Sequence, residues 1–120
     1  MSDITSELSQ KWVAVIKNGD PKRVTELYHR DAILLGTFSN KERLGHTLIL
    51  EYFENLLKFP VEVEIVSEHQ ATSETYSLNS GLYNFVTEGK TINARFSFVY
   101  QKGNDGWKII SHHSSVMPET

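Results

Sequence analysis

Near its C-terminus the chain reads Trp107–Lys108–Ile109–Ile110–Ser111–His112–His113–Ser114–Ser115–Val116–Met117–Pro118. Alternation along a strand puts Ile110, His112, Ser114 and Val116 on one face and Ile109, Ser111, His113 and Ser115 on the other. Each face carries one imidazole two residues before one hydroxyl. A strand built only to fill a core would hold branched or aromatic carbon at these positions. Imidazole exchanges protons near neutral pH, and hydroxyls can donate to a developing oxyanion. Parity alone leaves open whether His112/Ser114 or His113/Ser115 faces inward. A plain polar edge strand, closed by Pro118, is the alternative to a site.

Other site chemistries fit less well. Ser114 follows His113, but neighbouring strand residues point to opposite faces and cannot pair as nucleophile and base. His112 and His113 diverge for the same reason, and His29, His46 and His69 fall in other elements, so no zinc-ligand spacing is present and no metal is expected. There is no cysteine, which removes disulfides and thiolates. The seven glycines are scattered at turns and form no phosphate loop. Glu62, Glu64 and Glu68 read as a solvated face.

The elements that must position this strand are legible from periodicity. Ile4, Leu8, Trp12, Val15 and Ile16 form the stripe of an amphipathic helix, capped by Asp3 or Ser6 and stopped at Asn18–Gly19. Asp20–Pro21 restarts a short second helix with Val24, Leu27 and Tyr28 on its apolar side. Ala32 to Leu35 reads as a short buried strand, Gly36 to Ser39 as its polar exit, and Asn40 to Gly45 as a loop. His46 to Leu57 reads as a third helix, ended by Phe59–Pro60. Beyond Pro60 the period changes from 3.6 to 2. Val61, Val63 and Ile65 begin one strand. A second lies around Glu74–Leu78, has Asn79–Ser80–Gly81 as a bend or bulge and continues through Leu82–Thr87. Thr91 to Gln101 is a long strand with Ala94, Phe96, Phe98 and Tyr100 on one face and Arg95, Ser97 and Val99 on the other. Helices followed by antiparallel strands predict one α+β domain over residues 1–120, its helices covering one face of a strongly curved sheet and leaving a pocket at the open end. Phe96, Phe98 and Tyr100 are expected on the outer face, where they would drive at least a homodimer.

The 120 residues suffice for one core. A net charge of −3 leaves no basic stripe for nucleic acid, no apolar run is long enough to span a membrane, and Met1–Ser2–Asp3–Ile4 does not open a signal peptide. A cytoplasmic location is expected. His112, Ser114, Arg95 and Ser97 on a curved sheet, beside the third helix and the Gly36–Ser39 exit, suit a small polar or anionic ligand.

The helical hairpin with its Asn-Gly-Asp-Pro break, Tyr28…Asp31–Ala32, Gly36–Thr37–Phe38 and the closing Gly-x-Trp-x-Ile together resemble the nuclear transport factor 2-like superfamily. That resemblance implies a cone-shaped α+β fold. Ala94–Arg95–Phe96–Ser97–Phe98–Val99–Tyr100 and Trp107–Lys108–Ile109 resemble proteins related to the calcium/calmodulin-dependent kinase II association domain. The His-His-Ser-Ser-x-Met-Pro ending is similar to that of the iota-class carbonic anhydrases. The resemblance implies reversible, metal-independent hydration of carbon dioxide to bicarbonate, without a cofactor. Carried over residue by residue, it makes His112 the general base and Thr37, Tyr52 and Ser114 hydroxyl donors to bicarbonate. Arg95 and Ser97 follow as second-rank binding residues. Serines at 97 and 114 depart from the arginines that resemblance to the kinase domain would lead one to expect there. Thr37 could equally satisfy loop backbone, Tyr52 pack in the core, and Arg95 form a salt bridge. Two alternatives remain: an isomerase, dehydratase or cyclase of the same fold, with Asp31 the nearest carboxylate base, or a non-catalytic assembly or ligand-binding module.

Overall fold

The computed structural model of the chain describes residues 4–119. Helix α1 (Ile4–Asn18) buries Trp12, Val15 and Ile16, the stripe its three- and four-residue steps dictate. Gly19 ends it at φ 78°, a left-handed conformation that costs glycine little. The cap expected at Asp3 lies outside the described residues, and Ser6 sits inside α1, donating to Glu68. Asp20 caps α2 (Pro21–Thr25) by accepting from the Lys22 N–H.

Strand β1 (Tyr28–Leu35) begins four residues earlier than the expected buried run, and α2 stops short of Tyr28. The backbone of Tyr28 pairs with Ile109, and that pairing overrides its place in the helical stripe. The segment read as a loop contains a two-residue strand, β2 (Arg43–Leu44), paired to β1. Helix α3 (His46–Leu56) buries Ile49, Tyr52 and Phe53. Four long strands follow: β3 (Val61–Thr72), β4 (Tyr76–Thr87), β5 (Lys90–Gly103) and β6 (Gly106–Val116). β4 runs on through Asn79–Ser80–Gly81, where a bend or bulge was expected, because every residue there keeps its partner in β5; the bulge lies across from it in β3.

The six strands form one curved sheet in the order β2-β1-β6-β5-β4-β3. All neighbours are antiparallel except β1 and β6, where the last strand returns beside the first in parallel. The helices cover one face, giving the expected α+β cone.

Two irregularities reset the side-chain alternation. Between Ile65 and Ser67 the β3 register shifts, which turns Glu68 inward. There it accepts from Asn79 and Ser6 instead of lying on a solvated face. Gly81 makes room for this bulge, since a Cβ there would strike the Ser67 carbonyl. A second shift, where Val99 pairs Ser111 but Tyr100 pairs Ile109, leaves Ile110 as the extra residue. Ile109, not Ile110, therefore shares the core face with His112.

The expectation for β5 is reversed. Phe96, Phe98 and Tyr100 lie under the helices at 1–3% exposure, and Arg95, Ser97 and Val99 take the outer face. The alternation was read correctly, but the face given to the helices was the wrong one. These aromatics stack along the strand and onto Trp12 and Tyr83, so they supply core packing and no outer contact surface.

Candidate functional site

On β6 His112 and Ser114 follow Ile109 on the inward face, opposite Phe98 and Phe96 of β5. His112 is only 2% exposed. Its ring stacks on Phe98 at 4.0 Å between centroids and meets the edge of Trp12 at 5.3 Å. Both ring nitrogens meet tyrosine hydroxyls. Nδ1 lies 2.7 Å from the Tyr28 oxygen, and Nε2 lies 3.1 Å from the Tyr83 oxygen. The Trp12 indole N–H donates to Tyr28 at 3.1 Å. The Tyr83 hydroxyl donates to Ser114 Oγ at 2.5 Å, and Ser114 and Thr37 hydroxyls lie 2.5 Å apart. One chain of hydrogen bonds thus runs from Trp12 through Tyr28, His112, Tyr83 and Ser114 to Thr37.

Burial governs the charge states. It pushes the His112 pKa down to about 3, assisted by the neighbouring His113. The imidazole is therefore neutral throughout the physiological range and is not the neutral-pH base expected from its type. Burial raises the Tyr28 and Tyr83 phenols, which stay protonated, and lifts Tyr52 to about 12. The interior around His112 holds hydroxyls and one neutral ring.

The chain of hydroxyls surfaces at a cleft of about 300 Å³ whose walls include Leu35, Gly36, Thr37, Lys41, His113 and Ser114. Thr37 stands just past the end of β1, which pairs alongside β6, and this adjacency brings Thr37 to Ser114. Tyr52, on the buried side of α3, is close by but not in the chain. Its hydroxyl accepts from the Phe38 N–H at 3.4 Å, and its ring packs over Gly36, where any Cβ would collide with it. Phe38 packs edge-on to Phe85, beside a second cavity of about 390 Å³ that Tyr52 and Arg43 also line. Arg43 is buried and bonded to Glu51 at 2.6 Å, which holds that carboxyl below its usual range.

His112, Ser114 and Thr37 are thus brought together, with Tyr52 one layer away. Arg95 and Ser97 are not. They stand on the outer face opposite Ser115 and His113, because odd-numbered β5 residues point away from the helices. The question of face is resolved for the terminal pair: Ser114 is inward and His113 is exposed. Asp31 is exposed beside Arg30 and His29, remote from His112. Among the described residues no carboxylate hydrogen-bonds to His112, Ser114, Thr37, Tyr52 or Tyr83, and no three His, Asp or Glu side chains converge as metal ligands. Sequence reasoning missed Trp12, Tyr28 and Tyr83 as partners of the imidazole. A signal for Tyr83 existed, since two phases of β4 were open and only one puts Tyr83 and Phe85 inward together.

The model of the calcium/calmodulin-dependent protein kinase II association domain family matches residues 2–118. A solved association domain of that description from Xanthomonas campestris is 34% identical, with a TM-score of 0.91 over 97% of this chain and 87% of that one. A nuclear transport factor 2-like protein of unknown function from Pseudomonas putida KT2440 superposes with a TM-score of 0.85 at 15% identity, covering 97% of this chain and 86% of that one. A candidate dehydratase of the same fold from Streptomyces avermitilis gives 0.86 at 14% identity, covering 96% and 94%. At those identities the last two establish the fold alone. Among the described residues no helix is long and apolar enough to cross a membrane.

Proposed function

The chain belongs to the calcium/calmodulin-dependent protein kinase II association domain family, and on that premise we propose that it catalyses metal-independent hydration of carbon dioxide at the Thr37–Ser114 cleft. The observation that carries this reading is the pair of hydroxyls, 2.5 Å apart, at the edge of a small open cleft and backed by a neutral buried imidazole. Such a floor suits a small triatomic substrate and an oxyanion product.

In this reaction water attacks the carbon of carbon dioxide, one C–O π bond opens, and bicarbonate and a proton result. The protein must stabilise the charge that builds on the substrate oxygens, which hydrogen-bond donors fixed in place do without reorganising. Thr37 and Ser114 are those donors. The proton leaves from the attacking water. Solvent in the open cleft accepts it, because the His113 side chain lies on the outer face opposite Ser97. His112 stays neutral and holds the hydroxyls in register. Tyr52 braces Phe38 and Gly36 at the cleft's inner wall.

The isomerase or dehydratase alternative wants a carboxylate base held against the substrate; Asp31 lies outside, and Glu42, on the cleft wall, is exposed and not hydrogen-bonded to Thr37 or Ser114. The reading of the chain as an assembly module rests on the family's association domains and is compatible with catalysis. We take self-association into a homodimer or larger ring to occur through contacts other than Phe96, Phe98 and Tyr100. Titration of isotope-labelled protein with bicarbonate tests the substrate class. The amide resonances of Thr37 and Ser114 should shift first and saturably. Shifts confined to other surfaces would contradict the assignment.

A further inference from the structure

Hydrogen-bond direction along the buried chain follows from one obligate donor. A neutral imidazole has one N–H and one bare nitrogen, so two orientations of the chain are possible in principle. In one, Nδ1 carries the proton and donates to Tyr28. In the other, Nε2 carries it and donates to Tyr83. The Trp12 indole can only donate, and it donates to the Tyr28 oxygen. Tyr28 is 1% exposed, and its oxygen meets two partners among the described residues, Trp12 and His112. If His112 also donated to Tyr28, the phenol hydrogen would be buried without an acceptor, at a desolvation cost. The phenol hydrogen must therefore go to His112 Nδ1, which leaves the proton on Nε2.

We propose that Tyr28 and Tyr83 are positioning residues: Tyr28 fixes His112 as its Nε2–H tautomer, and Tyr83 turns the Ser114 and Thr37 hydrogens toward the cleft. Nε2–H donates to Tyr83, Tyr83 donates to Ser114, and Ser114 is free to donate to Thr37 or to a ligand. The chain then ends in donors, which suits an oxyanion. The catalytic consequence rests on the hydration reading, but the tautomer does not.

Long-range proton–nitrogen correlation through the imidazole ring of nitrogen-labelled, full-length protein reads the tautomer directly. The expected wild-type spectrum shows a protonated Nε2 and a pyridine-like Nδ1 for His112, unchanged between pH 8 and pH 5. A protonated Nδ1, or a ring that titrates in that range, would overturn the proposal. Tyr28→Phe should let both tautomers appear, with folding verified by circular dichroism; an unchanged Nε2–H signal would remove Tyr28 from the role. Tyr83→Phe should keep the Nε2–H tautomer but lower kcat for hydration about tenfold with little change in KM. Equal kcat would remove Tyr83. If wild-type protein shows no hydration at all, the hydration reading fails while the wild-type spectrum still decides the tautomer.

Discussion

The Tyr28 hydroxyl and His112 Nδ1 lie 2.7 Å apart in a fully buried position, although 84 residues separate them in the chain. The parallel pairing of β1 with β6 makes that meeting possible, because it sets the first strand beside the last. The same pairing brings Thr37 to Ser114. The site is thus a consequence of one strand neighbourhood, and its chemistry depends on what burial does to the groups held there.

Removing Ser114 should be costly to rate. Ser114→Ala deletes one donor to the developing oxyanion, and losing such a donor costs roughly 10²–10³ in kcat. It also leaves Tyr83 and Thr37 without their shared partner, a stability cost of about 1–3 kcal/mol. Stopped-flow hydration and urea unfolding on the same preparation separate the two effects.

Acid should destabilise the fold through His112. Its folded pKa is about 3, against an ordinary value of 6.5. The unfolded chain takes up a proton that the native state refuses, so the contribution is fully present above about pH 6.5 and is lost as pH falls toward 3. The expected extra slope is roughly 1.4 kcal/mol per pH unit between about pH 6 and pH 4. Urea midpoints across that interval should show this slope in wild type and a slope lower by one proton in His112→Gln.

His113 should be dispensable for the chemistry. Its side chain is exposed on the outer face opposite Ser97, so His113→Ala should leave both the fold and the hydration rate close to wild type. Circular dichroism and stopped-flow hydration check both. A large loss of rate in the folded variant would bring His113 into the site.

Two glycines should resist substitution for different reasons. Gly36→Ala drives a Cβ into the Tyr52 ring, an overpacking cost of about 1–3 kcal/mol. Gly81→Ala drives one into the Ser67 backbone carbonyl at the bulge, where nothing flexible can yield. Gly81→Ala should therefore show the larger fall in thermal midpoint.

Periodicity carried most of the fold. The change of period at Pro60, the α1 stripe and the glycine and proline stops all correspond to observed boundaries. Register did not follow from periodicity, because a bulge inverts every later side chain; Gly81, opposite the β3 bulge, marked that one, but on the neighbouring strand. Glu68 turned inward and Ile109 displaced Ile110 for this reason. Alternation grouped Phe96, Phe98 and Tyr100 correctly but could not say which face the helices would cover. At the candidate site, the motifs pointed to Thr37, Tyr52, His112 and Ser114, of which the fold joins Thr37, His112 and Ser114 in one hydrogen-bonded chain. Trp12, Tyr28 and Tyr83 were not legible there, since an aromatic that carries a buried hydrogen bond has the same sequence signature as one that only packs.

The most direct measurement is stopped-flow carbon dioxide hydration by the purified full-length protein after exhaustive chelation, with Thr37→Ala/Ser114→Ala beside it. The account predicts a rate above the uncatalysed reaction that chelation leaves unchanged and the double variant abolishes. Activity lost on chelation, or retained in the folded double variant, would contradict it.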